Sequence, residues 1–214
     1  MITVVSGLPR SGTSLMMQML VAGGLPPLTD GIRSADTDNP RGYYEWERIK
    51  TIPQNAAVIG EAEGKVVKVI STLLMHLPAQ WELPSKRFDP SDPDSVGATP
   101  PSGGGSPCRG YKVVFMRRPL AEVVKSQAEM IKRLQTAGPA LPPAAMQMAL
   151  EAHRKQVVAW VERQPHISVY WADYHEILKS PTEQAVKIQQ FIGISLKLDA
   201  MVAQVDPTLH RQRV

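Results

Sequence analysis

Apolar residues fall into short runs separated by polar, glycine-rich stretches, and the runs alternate between two periods. ITVVS (2–6) is an unbroken β-branched run closed by Gly7, the pattern of a strand buried on both faces. From Gly12 to about Ala22, Leu and Met recur at helical spacing until Gly23 and Gly24 stop them. The stretch 25–44 is rich in Pro, Asp and Gly and reads as a long loop, with a helix expected from Trp46. KVVKVIS (65–71) reads as a second buried strand, and STLLMHL as a short helix continuing from it. YKVVFM (111–116) is a third strand, punctuated by Arg117, Arg118 and Pro119, and a helix is expected over about 120–135. AAMQMALEAHRKQVVAWVERQ (144–164) has the spacing of a long amphipathic helix. ISVYW (167–171) reads as another strand, and TEQAVKIQQFIG (182–193) as a helix closed by Gly193. Strands alternating with helices predict an α/β fold of three layers, α/β/α, around a central parallel sheet.

Composition changes this picture in one place. Fifteen of the 26 residues in 85–110 are Gly, Pro or Ser, which cannot build a packed core, so this stretch is expected as a flexible surface excursion. The segments on either side are too short to stand alone, so 1–214 is expected to form a single domain. The net charge of +4 suits an anionic ligand but is too weak and too scattered to argue for nucleic acid. Cys108 is the sole cysteine, which rules out an internal disulfide and suits a reducing compartment, with the cytoplasm as the default. No apolar run approaches the ~20 residues that span a bilayer, and no basic segment precedes the first apolar run. No metal-ligand spacing is visible among the histidines.

The candidate chemistry begins where the first strand ends. GLPRSGTS (7–14) nearly matches the phosphate-loop pattern G-x-x-x-x-G-K-[ST], and strand–loop–helix is the context that pattern requires. Gly7 and Gly12 are correctly separated and Ser14 closes the motif, but Thr13 occupies the lysine position. The positive charge is Arg10, inside the loop. Backbone N–H groups of 10–14 are expected to form an anion-binding nest at the N-terminus of the first helix. The three best strands end in Ser6, Ser71 and Arg117, so no aspartate is placed to hold magnesium for a triphosphate. A less charged group such as a sulfonate, which needs cations and N–H donors but no metal, fits better. Arg117 and Arg118 close the 111–116 strand, at the carboxyl end of a parallel strand, where α/β sheets bind ligands.

GLPRSGTS resembles the 5′-phosphosulfate loop of the sulfotransferases, whose motif P-[KR]-[SAC]-G-[TS]-[TS] is matched in order by Pro9, Arg10, Ser11, Gly12, Thr13 and Ser14. The resemblance is to short bacterial-type members, and it implies a P-loop nucleoside-kinase-like fold with 3′-phosphoadenosine 5′-phosphosulfate (PAPS) as co-substrate and no metal. It also implies a 3′-phosphate site made by an Arg at a strand end and a Ser eight residues on. Arg118 and Ser126 have that spacing, while Arg117 is favoured by its distance from Pro119; the distance to Ser126 makes Arg118 the first choice and Arg117 the second. ISVYWADYHEILKSPTEQAVKIQQFIGI is similar to the family's late strand, turn and helix, mostly as packing. The family's Gly-rich closing motif is missing, and Arg211 or Arg213 in the basic tail is the candidate for its role.

Sulfuryl transfer needs a base for the acceptor proton and positive charge on the leaving oxygen. Arg10 and then Lys68 are the cations in reach, since Lys68 lies within a buried strand where a lysine is expensive unless paired, while Lys65 falls at the strand entrance. Two residues are candidates for the base. Glu45 lies beside Tyr43, Tyr44 and Trp46, and the resemblance implies a similar Gly-Tyr-Tyr-Glu element in short bacterial-looking members; His76 follows the second strand, where another branch places a histidine. Glu47 is expected to be exposed. The expected function is transfer of a sulfuryl group to a hydroxyl or amine on a small-molecule, carbohydrate or peptide acceptor. The alternatives are a P-loop small-molecule or nucleoside kinase and a degenerate nucleotide-binding protein. No nucleic-acid or membrane partner is expected, and the oligomeric state is open.

Overall fold

A computed structural model describes residues 1–31, 42–81, 110–134, 142–206 and 208. The 85–110 excursion lies outside the described residues except for Gly110. At the centre is β1 (Ile2–Gly7), every residue of which is buried. It pairs in parallel with β3 (Val66–Lys68) on one side and β4 (Tyr111–Arg117) on the other. β2 (Pro27–Leu28) and β5 (Ile167–Asp173) complete a five-stranded, all-parallel sheet in the order β2-β3-β1-β4-β5.

Strand alternation sends side chains to two separate cores. Ile2, Val4, Val67, Tyr111, Val113 and Phe115 face one side. There they meet α2 (Ser71–Leu74), α4 (Pro143–Val161) and two 3₁₀ segments, Glu47–Thr51 and Ala56–Ala62. Val5, Val66, Val114 and Met116 face the other side. They pack on α1 (Thr13–Ala22), α5 (Tyr174–Lys179), α6 (Pro181–Ile192) and α7 (Leu198–Val202). A strand covered on both faces has no polar side to show, which explains the continuous apolar runs. The fold is the expected α/β sandwich. α3 (Leu120–Leu134) follows β4.

Local differences from the sequence reading have local causes. The helix expected from Trp46 is a short 3₁₀ segment, and Pro53, which has no N–H to continue it, follows close after its end. β3 keeps only three residues in the ladder, although the Val69 N–H still donates to the Val5 carbonyl at 3.0 Å. Two residues of the expected loop, Pro27 and Leu28, pair with β3 as an edge strand. α5 arises because Asp173, at the end of β5, caps it by accepting from the His175 and Glu176 N–H groups. Asp173 is thus a strand-terminal aspartate that the sequence reading missed, and its carboxylate is engaged in capping. Among the described residues no helix is long and apolar enough to cross a membrane.

α2 and α4 are tied by a 2.9 Å hydrogen bond between Ser71 Oγ and His153 Nε2. Burial holds His153 below its ordinary proton affinity, and the same is true of His166. The unfolded chain therefore takes up a proton at His153 at a higher pH than the folded chain does. Stability is fully present above the unfolded value of about 6.5 and declines as pH falls below it. Melting curves between pH 7.5 and pH 5 should show a shallower decline for His153→Gln than for wild type; identical slopes would exclude His153 as a contributor.

Candidate functional site

The site is assembled at the carboxyl end of the central strands. β1 delivers the chain into a tight turn in which the Ser11 N–H donates to the Leu8 carbonyl at 3.2 Å. Pro9 takes the second position of that turn and Arg10 the third, with φ at +66°. Proline followed by a positive-φ residue is the type II arrangement, which normally wants glycine at the third position. A non-glycine residue there is strained, and strain of this kind collects at functional sites. Both loop glycines are forced by close approach. A Cβ on Gly7 would lie 2.5 Å from Ser11 Oγ and 2.9 Å from the Met116 carbonyl. At Gly12, with φ at +99°, it would lie 2.5 Å from Tyr174 Cδ2.

Gly12 is also the N-cap of α1 and supplies no side-chain cap. The first N–H groups of a helix have no intrahelical partner, so those of Thr13 and Ser14 are directed outward with the positive end of the helix dipole. The nest is narrower than 10–14, because the Ser11 N–H is used in closing the turn. The Ser6 and Ser11 hydroxyls are buried at the base of the loop without a hydrogen-bond partner among the described residues.

Three elements converge on this loop. Arg10 Nε donates to Ser126 Oγ on α3 at 3.0 Å, joining the two motifs 116 residues apart. Arg118 reaches the loop from the other direction, donating to the Arg10 carbonyl at 3.3 Å. Its guanidinium lies 4.8 Å from the centre of the Tyr174 ring and donates from Nε to Glu122 Oε2 at 2.7 Å. The other oxygen of Glu122 is 3.0 Å from His175 Nε2. Arg118 and Glu122 side chains are only 8% and 3% exposed. Burial pushes the Tyr174 hydroxyl up against the opposing pull of Arg118. Arg117 ends β4 opposite Asp173 and is exposed, so Arg118 is the arginine that meets the loop.

From β3 comes Lys68, on the α1 face of the sheet. Its Nζ is 3.4 Å from Ser14 Oγ and 3.4 Å from Glu45 Oε1. The Glu45 backbone is anchored to the chain after β2, its carbonyl accepting from Thr29 Oγ1 at 2.9 Å and from the Asp30 N–H at 3.2 Å. Glu45 therefore sits beside a cation as well as beside the aromatic residues of its loop. His76 is exposed past the end of α2, Lys65 lies before β3, and Pro9 projects into solvent. Arg211 and Arg213 lie outside the described residues. Glu45 and Lys68 share a pocket wall with Trp46, Glu47, Ile49, Lys50, Ile70 and Leu73, to which His76 does not belong.

No protein-family model matches the sequence, and no curated protein matches it. A solved structure does: the sulfotransferase domain from the curacin biosynthetic pathway, at 14% identity, with a TM-score of 0.50. The match covers 96% of this chain and 77% of that one. The fold is sulfotransferase-like. At this identity the likeness extends to the fold alone.

Within that fold, sequence reasoning overlooked Glu122, Tyr174 and His175. Glu122 had a readable signal: it lies four residues after Arg118 and four before Ser126, so the three share one side of the chain entering α3. Tyr174 had none, because only the closed fold lays its ring over Gly12.

Two substitutions separate binding from scaffolding. Arg10→Gly relieves about 1 kcal/mol of left-handed strain and loses about 1 kcal/mol of hydrogen bonding, so the melting midpoint should stay within about 3 °C of wild type. Pyrophosphate affinity, read by calorimetry, should fall about tenfold or more. Glu122→Ala leaves the Arg118 charge buried without its carboxylate and should cost about 3–5 kcal/mol in urea unfolding. A loss under about 1 kcal/mol would mean that water replaces the carboxylate at no cost.

Proposed function

We propose that the chain is a PAPS-dependent sulfotransferase, with its donor site spanning the Arg10 loop and the Arg118–Ser126 segment. The observation that carries this reading is the Arg10–Ser126 hydrogen bond, which brings a phosphate loop and a strand-end arginine motif into one contact network. A nucleotide with a 5′-phosphosulfate and a 3′-phosphate presents two anionic ends, and these two segments offer a cation and polar donors for each. The buried Ser11 hydroxyl inside the loop, which has no hydrogen-bond partner among the described residues, fits the same reading, since an acceptor oxygen there would satisfy it.

The roles then follow from position. The N–H groups at the start of α1 and Arg10 hold the phosphosulfate. Lys68 stands between Ser14 and Glu45, where an ammonium can meet charge developing on the leaving oxygen. Glu45 takes the proton from the acceptor as the acceptor's oxygen or nitrogen bonds to sulfur. The bond from sulfur to the 5′-phosphate oxygen breaks, and its electron pair leaves with adenosine 3′,5′-bisphosphate. Arg118 and Ser126 receive the 3′-phosphate, with Arg117 beside them at the strand end. The acceptor is a hydroxyl or an amine.

Adenosine 3′,5′-bisphosphate at a hundred times its Kd should stabilise the protein by about 2.7 kcal/mol in thermal unfolding, and ATP with magnesium should not. Glu45→Gln should lower sulfuryl transfer by about 10²–10⁴-fold while leaving bisphosphate affinity within about twofold. Stabilisation by ATP with magnesium alone would favour a kinase. Bisphosphate binding with no transfer from wild type would favour a degenerate nucleotide-binding protein.

A further inference from the structure

Beside Glu45 the pocket wall combines two features that together define an acceptor class. Its apolar walls are Trp46, Ile49, Ile70 and Leu73. Ile70 is 44% exposed, a large β-branched side chain held in solvent at the turn from β3 into α2. Its charged groups meet one another: Lys68 faces Glu45, and Lys50 is hydrogen-bonded to Glu47. Two cations and two carboxylates leave these described walls with no net charge to attract an anionic or cationic acceptor.

We propose, on the basis of the sulfotransferase reading, that this pocket takes the apolar body of a monohydric alcohol or phenol and directs its single hydroxyl to Glu45. A sugar would bring several hydroxyls against Ile70 and the partly buried Leu73, and each one left without a partner costs roughly tenfold or more in affinity. Sugars can also stack on an open tryptophan face, but Trp46 is 5% exposed and belongs to the core, so its ring offers no such platform. A ligand that covers Ile70 removes apolar surface from water, which favours hydrocarbon over polyol. In the step itself the hydroxyl oxygen bonds to sulfur, its proton passes to Glu45, and the sulfur–oxygen bond to the bisphosphate breaks. The products are an alkyl or aryl sulfate ester and adenosine 3′,5′-bisphosphate.

The experiment is a PAPS-dependent transfer assay on the full chain with 2-naphthol, 1-hexanol, glucose, N-acetylglucosamine and a tyrosine-containing peptide, with bisphosphate binding measured in parallel. The kcat/KM for 2-naphthol or 1-hexanol should exceed that for either sugar by about a hundredfold or more, as two or more unpaired hydroxyls require. Ile70→Asn, at an exposed position, should raise KM for both alcohols about tenfold with kcat and bisphosphate affinity unchanged. Sugars or peptide preferred over the alcohols, or an Ile70→Asn enzyme with unchanged KM, would overturn the acceptor class and leave the donor reading intact. Bisphosphate binding without transfer to any acceptor would also overturn the class. Absence of both binding and transfer would overturn the donor reading itself.

Discussion

The buried pair of Arg118 and Glu122 is the contact around which the site is organised. Removing two charges from water is costly, and a buried pair of this kind adds little net stability. What it does is fix geometry. With Nε held by Glu122 and the plane set over Tyr174, the Arg118 guanidinium is left pointing at the Arg10 carbonyl. That carbonyl belongs to the residue at φ +66°, the one place where the loop departs from relaxed backbone without a glycine. The left-handed conformation persists because its surroundings over-determine it. Pro9 presets the turn, the Ser11 N–H closes it, and Arg118 and Ser126 hold Arg10 at main chain and side chain.

The same arrangement explains why the loop glycines are not interchangeable with alanine. Gly12 must admit the Tyr174 ring, and Tyr174 in turn is the surface on which Arg118 lies. A methyl group at Gly12 would therefore displace the arginine through the ring, well beyond the loop. Asp173 supports the arrangement from below by capping α5, which carries Tyr174 and His175. A short helix of six residues has little stability of its own, and its cap and its packing under the loop supply what propensity does not.

Long runs with clear periods were legible in the sequence. β1, α1, β4, α3, α4, β5 and α6 follow hydrophobic spacing that needs only local rules to read, and the near-phosphate loop announces itself by its glycines. Lys68 was legible because an ammonium inside a buried strand demands a partner; the structure supplies Ser14 and Glu45. What was hidden was decided by tertiary contact. β2 is two residues long and exists as a strand only because β3 lies beside it. Tyr174 could be placed only by the closed fold, which lays its ring over Gly12, whereas the spacing of Glu122 to Arg118 and Ser126 was there to be read. Spacing to Ser126 pointed to Arg118 and spacing to Pro119 to Arg117; a one-residue step at the strand end turns Arg118 inward and leaves Arg117 exposed.

The absence of lysine from the loop can now be given a structural meaning. In a phosphate loop of the triphosphate-binding type, the lysine rises from the start of the helix and reaches the terminal phosphates. Here Thr13 stands at that position, and the ammonium comes from the neighbouring strand, where Lys68 Nζ approaches the last hydroxyl of the loop. Supplying the cation from β3 changes what it can do. A lysine at Thr13 would be tied to the loop and to whatever anion the loop holds. Lys68 is instead shared between the loop and Glu45, so one ammonium links the loop hydroxyl of Ser14 to the carboxylate at the pocket wall. That link follows from strand alternation: Val67 and Val69 face one core, which turns Lys68 toward α1 and places its ammonium between Ser14 and Glu45.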